Sequence, residues 1–266
     1  MFLPFTKCHA NGNDFIITQL EDFPKEMHTK DIISRLCCRH MGIGADGLFI
    51  ISSSDKYNFK LDYYNSDGSW ETLCANGSRC AVRFMQQYGS IKNKTIFLAG
   101  DGPHSAEILQ NGAISMQMKT PEYRSELLSP GGCDGYFIDT GARHFVSRPD
   151  NLDDDFIFTM GRKIRNSHIF HPHGINVNFY RLNDKHTVDI KTYEKGIEEV
   201  VLSCASGSTA VVFHLSKHNH VESPVVVRST GGNLTFKFDI AWNDVWVEGP
   251  AEILFTGNFK LELVSK

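Results

Sequence analysis

The sequence predicts an α+β fold of two similar, pseudo-symmetric lobes, each a mostly antiparallel or mixed β-sheet wrapped around one central helix. Three observations predict this fold: a pentapeptide that occurs twice, short β-like runs along the whole chain, and helical periodicity directly after each pentapeptide. The pentapeptides are Cys74-Ala-Asn-Gly-Ser and Cys204-Ala-Ser-Gly-Ser. With 266 residues the chain is long enough for two lobes of ordinary size.

A constant offset of 130 residues aligns the two halves of the chain. Besides the pentapeptides, it pairs Phe15 with Phe145, Gly44 with Gly174, Asp46 with Asn176, Phe49 with Phe179, and Tyr63 with Tyr193. Because these matches share one offset, they indicate a duplicated unit rather than chance. We predict an N-terminal lobe of residues 1–118 and 252–266 that carries Cys74, and a C-terminal lobe of residues 119–251 that carries Cys204.

Strands are predicted where short β-branched and aromatic runs are bounded by turn residues. In chain order these runs are Phe15–Thr18, Leu48–Ile51, Thr95–Leu98, Ile114–Met118, Val177–Tyr180, Val225–Val227 and Val245–Val247. Thr29 is predicted to cap a helix with an apolar stripe. The stripe consists of Ile32, Ile33, Leu36 and Cys37. Two further helices are predicted to follow the cysteine motifs, at Ala81–Met85 and Ala210–Leu215.

Turn residues separate these runs. Asn65-Ser-Asp-Gly is predicted to form a turn ahead of the first cysteine motif, and Gly131-Gly-Cys-Asp-Gly to form a hinge between the lobes. We interpret the run Asp153-Asp-Asp as a solvated loop. Gly42-Ile-Gly-Ala-Asp-Gly47 matches the dinucleotide-binding pattern, but that fingerprint follows a strand and opens a helix. Here a predicted helix precedes it and a predicted strand follows, so we predict a structural turn.

Composition and charge exclude several classes of protein. The chain has 27 basic and 31 acidic side chains and a net charge of −4, so it lacks an extended cationic surface for nucleic acid. No apolar run approaches the ~20 residues of a membrane helix, and the first residues lack the regions of a signal peptide. We therefore expect a cytoplasmic protein that binds neither nucleic acid nor membrane.

The seven cysteines are an odd number without the spacing of a disulfide framework, so we expect reduced thiols. No Cys-x-x-Cys pair supports a zinc site. The pairs His171-Pro-His and His218-Asn-His have no cysteine or carboxylate beside them and are expected to be surface residues. We predict neither a metal nor a cofactor.

The paired cysteines are the main indication of chemistry. A thiol at a helix start lies near backbone N–H groups and the positive end of the helix dipole, which lowers its pKa below ~8.5. Gly77 and Gly207 keep side chains away from these helix ends, whose amides can also bind a carboxylate. Two such thiols suit the inversion of a stereocentre: one thiolate removes a proton, and the other thiol returns one to the opposite face. Helix amides would stabilise the charge that develops on the substrate carboxylate.

The motifs of this chain resemble those of the diaminopimelate epimerases, amino-acid racemizing enzymes that work without pyridoxal phosphate. The resemblance covers nearly the whole chain. In order, the motifs are Lys7-Cys-His-Ala-Asn-Gly-Asn13-Asp-Phe, Gly42-Ile-Gly-Ala-Asp46-Gly, Asn65-Ser-Asp-Gly, Cys74-Ala-Asn76-Gly-Ser-Arg-Cys80, Gly141-Ala-Arg-His144, Gly174-Ile-Asn176-Val-Asn-Phe, Tyr193-Glu194-Lys195-Gly and Cys204-Ala-Ser-Gly.

The resemblance implies a role for particular residues. It implies that Cys74 and Cys204 transfer the protons and that His144 and Glu194 support catalysis near the thiols. The implied substrate-binding side chains are Asn13, Asn65, Asn76, Asn176 and Lys195, and the implied backbone sites for the α-carboxylate are Ala75, Asn76, Ala205 and Ser206. The implied reaction interconverts LL- and meso-2,6-diaminopimelate, a precursor of lysine and the cell wall. Homodimers are known in the family, so the resemblance also implies a homodimer as one candidate assembly.

Three departures from the family pattern leave the substrate open. Ala75 and Ala205 follow the cysteines where the family usually has glycine, although alanine keeps the backbone N–H. Ala142 replaces a substrate-contacting asparagine, and Lys195 replaces the arginine at the distal carboxylate. Lysine keeps the charge but loses the bidentate fork. A racemase for another amino acid, such as glutamate, is therefore one alternative, and a catalytically silent thiol-redox or binding protein is another.

Overall fold

The computed structural model describes residues 1–263. The strands are β1 (Phe2–Ala10), β2 (Asn13–Gln19), β3 (Gly47–Ser52), β4 (Phe59–Asn65), β5 (Trp70–Glu71), β6 (Lys94–Ala99), β7 (Gly102–Ile108), β8 (Ile114–Met118), β9 (Glu122–Tyr123), β10 (Gly135–Asp139), β11 (Arg143–Ser147), β12 (Asn176–Asp184), β13 (Thr187–Glu194), β14 (Glu199–Val201), β15 (Val225–Ser229), β16 (Gly232–Phe238), β17 (Val245–Gly249) and β18 (Glu252–Lys260). The α-helices are α1 (Lys30–Cys37), α2 (Ala75–Gln87), α3 (Asp154–Arg165) and α4 (Ala205–Lys217). Mixed β-structure with few helices confirms the predicted α+β class.

The chain forms two compact units. Unit 1 consists of Met1–Met116 and Gly249–Lys266, and unit 2 consists of Gln117–Glu248. Every predicted strand run lies inside an observed strand, and the three predicted helices correspond to α1, α2 and α4. Within the described part of the chain, no helix combines the length and apolar character needed to cross a membrane.

Unit 1 is a mixed sheet with helices against it. Strands β2 and β3 are parallel, as are β4 and β6, while β1–β2, β1–β18, β3–β4, β6–β7 and β7–β8 are antiparallel. Helix α2 packs against β1, β2, β3 and β18. Leu48 and Ile50 of β3 join the core cluster that contains Ile33 and Leu36 of α1. Because β3 is buried on both faces, it is apolar almost throughout.

Helix α1 begins as the sequence predicts. Thr29 has extended backbone angles, and its hydroxyl oxygen accepts a hydrogen bond from the Ile32 amide at 3.4 Å. This bond satisfies one of the amides that a helix start leaves without an internal acceptor. After the helix, the Leu36 carbonyl accepts bonds from the amides of Ile43 and Gly44, so the glycine-rich segment that follows is a turn leading into β3.

Unit 2 has the same pattern of strands. Strands β11 and β12 are parallel, as are β13 and β15, while β9–β10, β10–β11, β12–β13, β13–β14, β15–β16 and β16–β17 are antiparallel. Helix α4 packs against β11, β12 and β16, and α3 packs against β12, β13 and β14. The core cluster beside α3 includes Phe145, Ile157, Ile164, Phe179 and Tyr193.

The register of the parallel strands preserves the internal repeat. In unit 1, Phe15 lies opposite Gly47 across β2 and β3. In unit 2, Phe145 lies opposite Val177 across β11 and β12, and both residues are 130 positions further along the chain. A repeat that keeps both its sequence offset and its strand register is a structural duplication.

Two local predictions are wrong. The run beginning at Asp153 is the start of α3, where Asp154 and Asp155 lie in the first turn and their charges favour the positive end of the helix dipole. Ile157 and Ile164 form its buried side. The predicted hinge at Gly131 lies inside unit 2, in a short 3₁₀ turn between β9 and β10.

Candidate active site

The two cysteines of the repeated pentapeptide occupy equivalent positions in their units. Cys74 is the N-cap of α2, with φ −131° and ψ 112°, and Cys204 is the N-cap of α4, with φ −134° and ψ 102°. The first intrahelical bonds run from the Ser78 amide to the Cys74 carbonyl and from the Ser208 amide to the Cys204 carbonyl, at 2.8 and 2.9 Å. Each sulfur atom therefore belongs to a residue at the positive end of a 13-residue helix.

The glycine of each pentapeptide packs its helix closely onto the sheet. A Cβ atom at Gly77 would lie 1.9 Å from Cε2 of Phe49, and one at Gly207 would lie 2.0 Å from Oδ1 of Asn178. No side chain fits in either space. Close helix–strand contact, rather than clearance for a ligand alone, is the structural requirement for glycine at both positions.

In unit 1, two asparagines adjoin Cys74. The sulfur of Cys74 lies 4.0 Å from Oδ1 of Asn13, and the same oxygen accepts a hydrogen bond from Nδ2 of Asn76 at 3.2 Å. Nδ2 of Asn13 donates to Oδ2 of Asp46 at 2.7 Å. These bonds fix both amide groups beside the thiol.

Asp46 belongs to a charged cluster at the same end of β2. Arg39 pairs with Asp14 and Asp46 at 2.7 Å, and Lys7 pairs with Asp14 at 2.6 Å. Arg39 and Lys7 together hold the pKa of the Asp14 carboxyl below its usual range, although burial opposes them. Two cations and two carboxylates balance, so the cluster orients Asn13 without adding net charge.

Arg79 is a fully buried cation on α2, for which no role is predicted from the sequence. Its guanidinium donates to Oδ1 of Asn76 at 2.7 Å, to Oδ1 of Asn11 at 3.3 Å and to the Ala75 carbonyl at 3.3 Å. Burial lowers its pKa to about 10, while the thiolate forms of Cys80 and Cys74 would raise it. Because Arg79 occupies Oδ1 of Asn76, the Nδ2 atom of that amide faces Asn13.

Asn65 lies at the end of β4, in the predicted turn. Its Oδ1 accepts a 2.6 Å bond from the Tyr63 hydroxyl, and its Nδ2 donates to Oγ of Ser69 at 3.3 Å. The turn closes through a bond from the Gly68 amide to the Asn65 carbonyl, with Gly68 at φ +80°. Glycine is suited to this left-handed conformation.

In unit 2, a chain of hydrogen bonds leads to Cys204. The sulfur of Cys204 lies 3.5 Å from Oγ of Ser206, and that oxygen lies 3.0 Å from Nε2 of His144. Nδ1 of His144 lies 3.1 Å from Nδ2 of Asn178. Cys204 is 8% exposed, and His144 and Asn178 are fully buried. The structure thus brings together three residues singled out from sequence and adds Asn178.

His144 is a neutral imidazole at physiological pH. Burial lowers its pKa to about 3, and the Asp139 carboxylate offsets only part of that effect. Burial disfavours the charged imidazolium because a low-dielectric interior solvates it poorly. His144 can therefore donate from one ring nitrogen and accept at the other.

The remaining candidates lie at neighbouring strand ends in unit 2. Asn176 begins β12, and its Oδ1 accepts a 2.8 Å bond from the Lys195 amide, which directly follows β13. Glu194 is the last residue of β13. Ala142 lies in the turn between β10 and β11, where its carbonyl accepts a bond from the Thr140 amide at 3.0 Å.

Among residues 1–263, no three His, Cys, Asp or Glu side chains are arranged to hold a metal ion.

The diaminopimelate epimerase family model matches residues 5–123 and 136–253, nearly the whole chain. The chain belongs to the diaminopimelate epimerase family. Among its relatives, the diaminopimelate epimerase of Flavobacterium psychrophilum is 38% identical over 94% of this chain and 97% of the relative. That of Aquifex aeolicus is 34% identical over 98% of this chain and 99% of the relative.

Solved structures resemble the fold of this family member. A hydroxyproline epimerase from Agrobacterium vitis aligns with a TM-score of 0.75 and 13% identity, covering 97% of this chain and 92% of the other. A phenazine biosynthesis protein of the PhzF family from Bacillus anthracis aligns with a TM-score of 0.72 and 12% identity, covering 98% and 99%. At these identities the likeness concerns the fold alone. The family membership makes the protein an isomerase of the epimerase class.

Proposed function

We propose that this protein is a diaminopimelate epimerase that inverts one α-carbon of 2,6-diaminopimelate by proton transfer between two thiols, those of Cys74 and Cys204. The observation that carries the proposal is the equivalent placement of these cysteines as N-caps of α2 and α4. Family membership supports the LL and meso forms as substrate and product. The protein would then serve the biosynthesis of lysine and cell-wall precursors.

The proposed reaction needs one thiolate and one thiol. The thiolate of one cysteine removes the α-proton, and the thiol of the other delivers its proton to the opposite face, so each turnover exchanges the protonation states of the two sulfurs. Backbone amides at Ala75, Asn76, Ala205 and Ser206 are the proposed donors to the α-carboxylate, because amides of a first helical turn point outward from the helix end. These donors stabilise the charge that develops as the proton leaves, and each ~1.4 kcal/mol of such stabilisation gives tenfold in rate.

The side chains assigned to the substrate have the chemistry that an amino acid requires. Asn13, Asn65, Asn76 and Asn176 offer amide donors and acceptors to ammonium and carboxylate groups. Lys195 is the proposed cation for the distal carboxylate. His144 and Glu194 are proposed to support the thiols. The proposal assigns the chemistry to protein side chains alone.

Serine substitution tests the two-thiol reaction. In Cys74→Ser and in Cys204→Ser, we expect epimerisation to fall at least about 10²-fold, because a hydroxyl is not ionised near neutral pH and a general acid–base group contributes about that much. Chiral chromatography of diaminopimelate after incubation in deuterated water measures both inversion and α-deuteration.

Cys38→Ser in unit 1 and Cys133→Ser in unit 2 are matched controls, since both are partly buried thiols outside the proposed site. Both controls should retain activity. Full epimerisation by either proposed-site variant would refute the reaction. Activity that depends on reductant but survives both substitutions would favour the alternative of a thiol-redox protein.

The substrate range is a separate question, raised by Ala142 and Lys195. We expect Ala142→Asn with Lys195→Arg to raise the preference for diaminopimelate over glutamate by about tenfold or more, since the added amide can bind the distal ammonium group that glutamate lacks and a planar bidentate donor binds the distal carboxylate better than an ammonium does. Initial rates of α-deuteration on a panel of amino acids measure this preference. Equal deuteration of glutamate and diaminopimelate by the unaltered protein would favour the related racemase instead.

The proposal also includes a cytoplasmic location and a homodimeric assembly. The side chains of Cys8, Cys37, Cys38, Cys80 and Cys133 are free thiols, which supports a reducing compartment. Family resemblance supports a homodimer, and sedimentation equilibrium of the purified protein measures it. A monomer at micromolar concentration would refute the proposed homodimer but not the proposed reaction.

A further inference from the structure

Only one assignment of donors and acceptors is consistent for the hydrogen bonds around His144. The orientation of the Asn178 side-chain amide determines that assignment. Nδ2 of Asn178 faces the carbonyl oxygens of Phe145 and Asn176 at 3.2 and 3.5 Å. Oδ1 faces the hydroxyl of Thr192 at 3.0 Å. Rotating the amide by half a turn would place its oxygen against two carbonyl oxygens, so the nitrogen must lie where it is.

The orientation of this amide determines the tautomer of His144. Nδ2 of Asn178 carries two hydrogens and is a donor only. The two acceptors nearest to it are Nδ1 of His144 at 3.1 Å and the Phe145 carbonyl at 3.2 Å, so Nδ1 accepts one hydrogen and carries no proton. The ring is neutral, so its one N–H is at Nε2. That N–H donates to Oγ of Ser206 at 3.0 Å.

The same assignment makes the Ser206 hydroxyl a hydrogen-bond donor to Cys204. Because its oxygen accepts from His144, its own hydrogen is available for another acceptor, and the Cys204 sulfur lies 3.5 Å away. Hydrogen bonds to sulfur are longer than those to oxygen. A hydroxyl that donates to sulfur stabilises the thiolate over the thiol.

We propose that Asn178 is a positioning residue: it holds His144 as an Nε2–H donor, so that Ser206 donates to Cys204 and stabilises its thiolate. His144 then acts as a hydrogen-bond donor in the chain and does not remove the proton of Cys204. The catalytic meaning of this inference rests on the proposed function, since it concerns one of the two proposed proton-transfer residues.

The ionisable groups around this chain support the assignment. Asp139 on β10 favours a charged His144, but burial outweighs it. Arg143 on β11 donates to the Gly174 carbonyl at 3.1 Å, and Arg181 on β12 pairs with Asp189 at 2.7 Å. The other ionisable groups on β10, β12, α4 and β16, the elements that pack against β11 or α4, are Tyr136, Tyr180, Asp184, His214, Lys217 and Lys237.

Unit 1 has different residues at the positions equivalent to this chain. At the positions 130 residues earlier, Leu48 corresponds to Asn178, and Asn76 corresponds to Ser206. In unit 1, Leu48 belongs to the apolar core on the α1 side of the sheet. A buried asparagine costs free energy unless its hydrogen bonds are satisfied, and here all of its partners are within 3.5 Å.

The first test measures the ionisation of Cys204 in the full-length protein without substrate. The rate of iodoacetamide alkylation at each cysteine is followed by peptide mass spectrometry as a function of pH. The pH at which this rate is half-maximal, called the midpoint, reports the thiol pKa. We expect Ser206→Ala to raise the Cys204 midpoint by about one pH unit or more, because a hydrogen bond to a charged group is lost. The Cys74 midpoint should stay unchanged.

Ser208→Ala is the matched control on the same helix. Ser208 is buried, and its hydroxyl donates to the Cys204 carbonyl at 2.9 Å instead of to the sulfur. We expect it to leave the Cys204 midpoint unchanged. An unchanged midpoint in Ser206→Ala, or equal shifts in both variants, would overturn the inference.

The second test observes the tautomer directly. Nitrogen-15 spectra of the unaltered protein should show His144 protonated at Nε2 and unprotonated at Nδ1 from about pH 6 to 9. In Asn178→Asp, an oxygen replaces Nδ2, so we expect Nδ1 to become protonated. A resting Nδ1–H tautomer in the unaltered protein would overturn the inference, whether or not the variant folds.

These results separate the inference from the proposed function. Both measurements use the protein without substrate. If epimerisation is absent but the tautomer and the Cys204 shift are found, the proposed function fails and the inference stands. If epimerisation is present but Ser206→Ala leaves the alkylation midpoint of Cys204 unchanged, the inference fails and the proposed function stands.

Discussion

The two cysteines share backbone geometry but differ in their chemical surroundings. Arg79 on α2 has Thr209 as its counterpart 130 residues later on α4. The Thr209 hydroxyl donates to the Ala205 carbonyl at 2.8 Å, just as the Arg79 guanidinium donates to the Ala75 carbonyl at 3.3 Å. One helix therefore carries a buried cation at a position where the other has a neutral hydroxyl. The two motifs share a fold but differ in their electrostatics.

The buried histidines predict how stability depends on pH. Burial lowers the pKa of His144 to about 3, and burial with the nearby charges of His218 and His220 lowers that of His214 to about 4. The unfolded chain binds protons below pH ~6.5, while the folded protein does not, so stability is complete above that pH and falls as pH drops towards these lowered values. The slope is about 1.4 kcal/mol per pH unit for each histidine.

Substitution of His214 isolates one of these contributions. His214 stacks near Tyr136, with ring centroids 4.9 Å apart, and its Nδ1 lies 2.9 Å from the Tyr123 hydroxyl. His214→Phe keeps an aromatic ring but cannot titrate, so we expect a shallower loss of stability between pH ~6.5 and ~4. Urea unfolding at several pH values measures it. Equal slopes for the two proteins would contradict the expectation.

At the scale of elements, the helices of the site are held by close contact with one strand. Gly77 of α2 meets Phe49 of β3, and Gly207 of α4 meets Asn178 of β12. Strands β3 and β12 are equivalent in the repeat, since Phe49 and Phe179 differ by the common offset. In the repeat, however, Asn178 corresponds to Leu48 and not to Phe49, so each helix meets its strand at a different residue.

Overpacking of this contact should destabilise unit 1. In Gly77→Ala, the new Cβ would lie 1.9 Å from Phe49, and we expect a loss of about 1–3 kcal/mol in the free energy of unfolding. Urea unfolding measures the loss. Adding Phe49→Leu makes room for the methyl group, so the cost of Gly77→Ala should be smaller in that background. An equal cost in both backgrounds would show that the contact is not the cause.

At the scale of the whole molecule, the chain contains two units with the same order of strand pairings. Each unit has a parallel pair, an antiparallel hairpin and a second parallel pair in the same sequence order. Each also carries its cysteine on the helix that follows the hairpin. Under the proposed function, each unit supplies one half of a two-thiol reaction.

Mild oxidation tests the proposed two-thiol reaction. Two thiols that flank one carbon atom of a substrate are close enough for an oxidant to join them, so we expect reversible inactivation with a Cys74–Cys204 disulfide. Peptide mapping before and after reductant identifies the bond, and assays follow activity. Inactivation without that disulfide in Cys38→Ser and Cys133→Ser backgrounds would argue against the proposed arrangement.

Particular residues show what could be predicted from sequence. Local patterns identified Thr29 as a cap, the turn at Asn65 and the helix starts at both cysteines, because such features depend on neighbouring residues. Helix α3 was missed because three aspartates at its start resemble a loop, although Ile157 and Ile164 have helical spacing. Arg79 and Asn178 lie within family motifs, and only Asn178 carries a further signal, a polar side chain between the apolar residues Val177 and Phe179.

The duplicated α+β organisation, the cysteine at each equivalent helix start and the family follow from the sequence alone, because they depend on short motifs and a constant offset. The burial of Arg79 beside Asn76 and the chain of contacts from Asn178 through His144 and Ser206 to Cys204 are visible only in the folded structure. The members of the second chain come from β11, β12 and α4, which are distant in sequence. Strand pairing and helix packing bring them within hydrogen-bonding distance, and no local pattern encodes that proximity.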